Sequence, residues 1–248
     1  MIRIYNQNDI EILRQSGKIL ALIIEELKKE VKPNETTAHL NKVAEDLVFS
    51  LGAKPSFKGY DGFPAALCTS INEEIVHAIP GNRKLKKGDI ISLDFGVKFK
   101  GYCTDMAVTV PVGNINKKVE KLLWVTEEAL GLGIEQARPG NHLQDISCAI
   151  QKYVEKNGFN IVRELVGHGV GKNVHEEPQI PNYGKRGTGP ELVEGMVLAI
   201  EPMVTIGDWH IKKSQDSYGY KTADNSLSAH FEHTIVITKK EPEIITKI

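Results

Sequence analysis

The stretch Gly88–Gly113, GDIISLDFGVKFKGYCTDMAVTVPVG, constrains this chain more than any other. IISLDFGV and CTDMAVTV alternate large apolar residues with small or polar ones, the period of a half-buried strand. KFKG between them is short and polar enough to reverse the chain. If Phe99 and Lys100 form the turn, Asp94 lies directly opposite Asp105. If Lys100 and Gly101 form it, the two are diagonal neighbours on one face. A three-residue loop would separate them. Carboxylates brought together in a sheet repel, and burial makes the repulsion worse. Lys86, Lys98 and Lys100 lie at the ends of the hairpin, not between the acids. A divalent metal is therefore the cation that fits the pair. The competing reading is two surface aspartates at a sheet edge.

Composition narrows the classes. The 248 residues carry 31 Lys+Arg and 32 Asp+Glu, so no global basic field is available to hold nucleic acid. A hydrophobic content of 41% suits a folded core, in one large domain or two small ones. The apolar run ILALII is too short for a membrane span. No basic n-region with a cleavage site marks a signal peptide. Cys68, Cys103 and Cys148 are odd in number and far apart, without a CxxC, so neither a zinc ribbon nor a disulfide framework is expected and a reducing cytoplasm fits.

Residues 8–30 have helical periodicity with Ile12, Ile19, Ile23 and Leu27 on one broad face, and Asn8 or Asp9 as a cap. A second helix fits residues 36–52, and two more fit 116–138 and 141–158. Strands are expected at NIVREL, MVLAIEPMV and FEHTIVIT, a Gly-rich loop over 182–194, and a polar, irregular segment with a short hairpin over 207–225. KKGDIISLDFGV matches VEGMVLAIEPMV position for position: Gly88 and Gly195 lead an apolar strand with an acid six residues on, Asp94 and Glu201. The repeated order of helices then strands predicts one α+β domain over 1–248, built of two pseudo-symmetric halves, about 1–113 and 114–248.

Glu201 and Glu232 each sit in an otherwise apolar strand sequence, where a carboxylate either faces solvent or needs a partner. Four acids in strands of matching type, two per half, point to one shared site. His168, between glycines in GHGVG, offers a neutral imidazole as a fifth donor. Asp94, Asp105, His168, Glu201 and Glu232 make an oxygen-rich set suited to Mn, Fe, Co or Zn at an open catalytic site. That much negative charge exceeds one divalent ion and suits two, about 3.5–4 Å apart. Other schemes fit poorly. HExxH is absent, since Gln179 stands where the second histidine is needed, and no P-loop or GxGxxG occurs. Among Glu-x-x-His pairs, Glu74–His77 alone matches, and it precedes a Pro-Gly turn. His77 and His175 follow an acid-containing and a Gly-rich loop and can reach a substrate, or are turn histidines. His39, His142 and His210 read as surface residues. His230 and His233 flank Glu232 and carry no assigned role.

With these residues placed, the chain resembles the type 1 methionine aminopeptidases of bacterial form. The matching stretches are SINEEIVHAIPG, GDIISLDFGVKFKGYCTD, ELVGHGVGKNVHEEPQIPNYG, EGMVLAIEPMV and SLSAHFEHTIVIT, in the family's order across nearly the whole chain. The resemblance implies the pita-bread fold: helices packed on a curved antiparallel sheet. It implies a dinuclear centre held by Asp94, Asp105, His168, Glu201 and Glu232, with Glu201 also the proton shuttle. It implies that His77 and His175 contact the scissile peptide, and that Tyr60, Phe63, Cys68 and Tyr218 line or rim the methionine pocket. The implied activity is removal of the initiator methionine from nascent polypeptides with a small second residue, by attack of a metal-bridging water or hydroxide. The implied setting is a cytoplasmic monomer in transient contact with ribosomes. Ala78 stands where the family usually has glycine, Val174 where some members have an aromatic, and Tyr218 where many have tryptophan, which bears on pocket shape. The rival readings are an X-Pro peptidase of the same fold, whose chains usually carry an added N-terminal domain, and a non-catalytic module binding peptides or ribosomes, which would typically have lost ligands.

Overall fold

The computed structural model describes residues 1–248. Along the chain, helices α1 (Gln7–Glu30) and α2 (Thr37–Ser50) precede strands β1 (Lys54–Pro55), β2 (Leu67–Ile71), β3 (Glu74–Val76), β4 (Ile90–Phe99) and β5 (Tyr102–Pro111). Helices α3 (Lys117–Gln136) and α4 (Leu143–Lys156) follow. The strands resume with β6 (Asn160–Ile161), β7 (Val166–Gly169), β8 (Glu176–Pro181), β9 (Val197–Ile200) and β10 (Met203–Thr205). The last are β11 (Ile211–Lys213), β12 (Tyr220–Thr222), β13 (Ser228–His230), β14 (Glu232–Ile237) and β15 (Pro242–Ile244).

Helix α1 starts at Gln7, one residue earlier than its periodicity suggests. Asn6, not Asn8 or Asp9, is the cap: its side chain accepts from the backbone N–H groups of Asn8 and Asp9, and Asp9 accepts from the Asn6 N–H in return. A reciprocal box needs the acid three residues after the cap, and Asp9 serves only from there. The buried face is centred on Leu13, Leu20, Ile24 and Leu27, so Ile12 and Ile19 lie on its flanks, half-buried. Gly17 is where α1 meets the C-terminal segment. A Cβ there would fall 2.2 Å from the Ile245 carbonyl oxygen, so any side chain would push the helix off the sheet.

The main sheet is antiparallel, with β1-β4-β5-β14-β9-β7-β8 as its path, β2 added on β4 and β15 on β14. Side chains alternate across it. Ile91, Leu93, Phe95 and Val97 of β4 join α1 and α2 in a buried cluster of 18 residues. Leu198 and Ile200 of β9, with Ile235 and Ile237 of β14, join α3 and α4 in another of 24. Each pair of helices thus covers one part of the sheet, and the intervening residues of the same strands, smaller or polar, face away. This is the α+β arrangement of helices on an antiparallel sheet that the sequence predicts.

Three local expectations change. The NIVREL segment forms a strand only at Asn160–Ile161, and His168 lies on strand β7, not in a loop. MVLAIEPMV is broken in two at Glu201-Pro202, because proline cannot donate to the ladder. The segment 207–225 does contain a hairpin, β11–β12, and β12 pairs with β3, so the strand ending just before His77 is held by this excursion.

Candidate active site

Lys100 and Gly101 take φ of 48° and 83° and form the two-residue turn of the β4–β5 hairpin. That choice sets the pairing: Gly96 opposes Asp105 and Asp94 opposes Ala107, so the two aspartates are diagonal neighbours on one face. Strand β14 pairs with the other edge of β5 and sets Glu232 opposite the same Ala107. Strand β9 continues the row. His233 pairs with Ile200, and one step further brings Glu232 alongside Glu201 at the Pro202 break. On β7, His168 pairs with Ala199, two residues before Glu201 and on its face. Small residues at 107 and 199 leave room over the sheet for longer donors on either side. At Gly167 a Cβ would lie 2.5 Å from the Ala199 carbonyl oxygen, which is why β7 can come close enough to deliver His168.

The structure brings all five predicted donors together. Asp94, Asp105, His168 and Glu232 are between 2% and 8% exposed. His168 Nε2 lies 3.5 Å from Glu201 Oε1 and 4.0 Å from Asp105 Oδ2. Donor atoms of Asp105, His168 and Glu232 all fall within 4.8 Å of one another. His168 Nδ1 sits 2.9 Å from the Gly169 carbonyl, to which it donates, so the Nε2 lone pair is left for the centre. Burial pushes its basicity down to about 3, keeping the ring neutral.

The carboxylates are under strong electrostatic load. Burial raises Asp94 to about 7 and lifts Asp105, Glu201 and Glu232 well above their ordinary values; the neighbouring acids add to it at each of the aspartates and at Glu232. Lys213 is the single lysine or arginine lining the cavity, and its ammonium sits 5.8 Å over the Tyr220 ring. Glu232 Oε1 is buried without a hydrogen-bond partner. A buried set of oxygens and one imidazole, short of a protein cation and with an orphaned carboxylate oxygen, has the donor chemistry of a divalent-ion site.

The cavity above these residues measures about 830 Å³ and is lined by the five donors, by His77 and His175, and by Tyr60, Phe63, Cys68 and Tyr218. His77 occupies the left-handed region at φ 59°, directly after β3, and its ring meets Tyr220 edge-on at 6.2 Å. Burial holds its basicity down near 4. His175 lies in the loop between β7 and β8, its Nδ1 3.1 Å from the Tyr60 hydroxyl and its ring 4.4 Å from that of His168. On the opposite wall Phe63 and Tyr218 pack edge to face at 5.6 Å, and the Tyr218 hydroxyl donates to the Gly62 carbonyl at 2.9 Å. Cys68 pairs with Asp94 across β2 and β4. Burial first, then the Asp94 charge, pushes its thiol well up, so it stays a neutral part of the wall. Ala78 and Val174 are buried and do not line the cavity; of the three unusual positions, Tyr218 alone shapes it.

Two features escape sequence reasoning. His230, buried at 1% exposure, points its Nε2 at Glu201 Oε2 (3.4 Å) and Glu232 Oε2 (3.9 Å). Its spacing of two from Glu232 was the available signal. The other is Tyr5, from the N-terminal segment. Its hydroxyl accepts from the Lys172 N–H and donates to Glu176 Oε2, both at 2.8 Å, while Glu176 Oε1 accepts from the Asn173 N–H at 2.9 Å. These bonds brace the loop that carries His175. Tyr5→Phe removes both hydrogen bonds, leaving Glu176 Oε2 only the 3.7 Å contact to Arg3 Nε, and is expected to cost about 1–3 kcal/mol, read as a fall in the urea midpoint at constant slope. An unchanged midpoint would show that the brace contributes nothing.

The model of metallopeptidase family M24 matches residues 11–239. The methionine aminopeptidase of Clostridium perfringens is 50% identical over 248 residues, covering 100% of both chains. Methionine aminopeptidase 1 of Bacillus subtilis is 52% identical, again over 248 residues and 100% of both. The crystal structure of methionine aminopeptidase from Thermotoga maritima, 45% identical, superposes with a TM-score of 0.98 over 100% of each chain.

Proposed function

This chain belongs to metallopeptidase family M24 and, within it, to the methionine aminopeptidases of the pita-bread fold, and we propose that the buried acid–histidine cluster is where it removes the initiator methionine. It is a metal-dependent hydrolase. Asp94, Asp105, His168, Glu201 and Glu232 would hold two divalent ions, Mn, Fe, Co or Zn. The observation that carries this is four carboxylates facing one cavity, those of Asp94, Asp105 and Glu232 buried and that of Glu201 partly so, with no lysine or arginine paired to any of them. Such ions, when bound, supply a Lewis acid and lower the pKa of water.

The protein's own groups supply the rest. With the Tyr60 hydroxyl hydrogen-bonded to His175 Nδ1 as donor, the ring carries its proton on Nε2, and that N–H would donate to the scissile carbonyl oxygen as it becomes negative. His77, neutral and on a backbone held by β3 and β12, faces the same space. With ions bound the Glu201 side chain is a carboxylate, and it would take a proton from the attacking water and pass it to the leaving amine. Tyr60, Phe63, Cys68 and Tyr218 form a largely apolar pocket for the unbranched, polarisable methionine side chain.

The substrates are N-termini of nascent polypeptides, and we read the enzyme as a cytoplasmic monomer that touches the ribosome transiently. No helix is long and apolar enough to cross a membrane, and a net charge of −1 offers no general affinity for nucleic acid. We read the chain as one catalytic domain of two related halves; Gly88 and Gly195, both with positive φ near 90°, open the equivalent strands β4 and β9. Assays of Met-Ala-Ser and Gly-Pro peptides, with and without metal, test the reading. Cleavage of Met-Ala-Ser alone, and only with metal, is expected. Cleavage of Gly-Pro alone would favour an X-Pro peptidase, and no cleavage of either a binding module.

In a Met-X series, Gly, Ala and Ser at X are expected to be cleaved at least about 10-fold more efficiently than Leu or Lys, the discrimination that added side-chain bulk in a closed site gives. Equal kcat/KM across the series would overturn the preference.

A further inference from the structure

His230 has no place in the ligand set above, yet it is among the most buried polar side chains of the molecule, at 1% exposure. Its backbone is pinned on both sides by one residue: the His230 N–H donates to Thr109 Oγ1 and the Thr109 hydroxyl donates to the His230 carbonyl, each at 2.8 Å. Phe231 then separates β13 from β14, and the ring is left aimed into the acidic cluster. Neither of its ring nitrogens has a hydrogen-bond partner in the protein, and neither has Glu232 Oε1 beside it. A buried imidazole with both nitrogens unpaired is costly unless something else occupies it.

The spacing says what that is. His230 Nε2 stands 3.4 Å from Glu201 Oε2 and 3.9 Å from Glu232 Oε2, but makes no hydrogen bond to either. Donors about 2.0–2.2 Å from a shared four-coordinate ion stand about 3.3–3.6 Å apart, a range that holds the Glu201 contact but not the longer one to Glu232. Donor atoms of Glu201, His230 and Glu232 lie within 4.8 Å of one another, and so do those of Asp105, His168 and Glu232. The two groups share Glu232 and contain one imidazole each.

We propose that His230 is a sixth protein ligand of the metal centre: its Nε2 faces Glu201 Oε2 as His168 Nε2 faces Glu201 Oε1, so that each of the two ions gains one nitrogen donor. The proposal rests on the two-ion reading above and adds one residue to it.

The test uses the full-length protein, stripped of metal and reloaded with Co²⁺. In the wild type, each coordinated imidazole gives a hyperfine-shifted N–H proton signal. Two such signals are expected, one of which disappears in His230→Gln and the other in His168→Ala. A single signal in the wild type overturns the assignment even if no variant folds. Calorimetric titration with Mn²⁺ gives the second readout: His230→Gln should weaken one of two binding steps at least about 10–100-fold and leave the other unchanged. Two wild-type-like steps in His230→Gln would show that the ring only hydrogen-bonds to Glu201, which overturns the ligand role and leaves the two-ion reading standing. Absence of any binding step in the wild type would overturn both.

Discussion

Removal of divalent ions abolishes hydrolysis of Met-Ala-Ser and leaves a protein whose stability falls as pH rises above about 6.5. Both halves of this expected result come from the same four side chains. The carboxylates of Asp94, Asp105, Glu201 and Glu232 are held protonated by burial well beyond the usual range, Asp94 to about 7. In the unfolded chain they would ionise near 4. Below that pH both states are protonated and burial carries no charge. As pH rises above about 4, the unfolded chain loses its carboxyl protons first, which lowers stability. Between about pH 4 and 6.5 that loss is offset, because His77, His168, His175, His230 and His233 are held neutral by burial and take up protons only on unfolding. Above about 6.5 the histidines are neutral in both states, folding must still take up protons at the carboxylates or bury charge, and stability declines. A salt-bridged carboxylate behaves in the opposite way. Bound ions reverse the trend, because they require the deprotonated form and bind only the folded protein. At about 100 times Kd an ion adds about 2.7 kcal/mol. Thermal melts of metal-free protein from pH 4 to 8, with and without Mn²⁺, measure the effect, and Mn, Co or Fe should restore turnover. Full activity in thoroughly stripped protein would sink the mechanism.

The site was legible in the sequence to the extent that it is written in strand alternation. Asp94 and Asp105 interrupt apolar repeats on the same parity, so any two-residue turn placed them on one face; only the choice between opposite and diagonal stayed open. That choice depended on which residues of KFKG take positive φ, and Lys100 does so without being glycine. Glu201 was visible as an acid in an apolar run, although Pro202 breaks that strand. Contacts that depend on distant segments were hidden. Tyr5 reaches Glu176 across a sequence separation of 171 residues, and no local pattern announces it. His230 was passed over because β13 ends at His230 and β14 begins at Glu232, with Phe231 between them, so nothing in AHFEHT says whether the alternation carries through. Helix α1 shows the same limit on a smaller scale, since its cap needed the Asn6–Asp9 reciprocity and not simply a polar residue near the start.

His168→Ala and His175→Ala are expected to fail in different ways, although the residues are seven apart and their rings are 4.4 Å from each other. The backbone already separates them. His168 is on β7, its Nδ1 committed to the Gly169 carbonyl and its Nε2 turned to Asp105 and Glu201. His175 is in the following loop, tied to Tyr60 and turned to the open part of the cavity. Losing His168 takes a nitrogen from the acidic cluster. Metal binding should weaken, with activity partly recovered at high metal. Losing His175 takes a donor whose hydrogen bond strengthens only as the carbonyl oxygen becomes negative, an interaction realised in the transition state. One such donor typically contributes about 10²–10³ in kcat. His175→Ala should therefore keep near-normal metal content while kcat falls by that factor and KM changes little. Because the side chain is exposed on the cavity side, its removal leaves no buried void to confuse the measurement. Titration calorimetry with Mn²⁺ on both variants, paired with kinetics on Met-Ala-Ser, decides between them. If His175→Ala loses metal as badly as His168→Ala, the division between a ligand on the strand and an oxyanion donor in the loop is wrong.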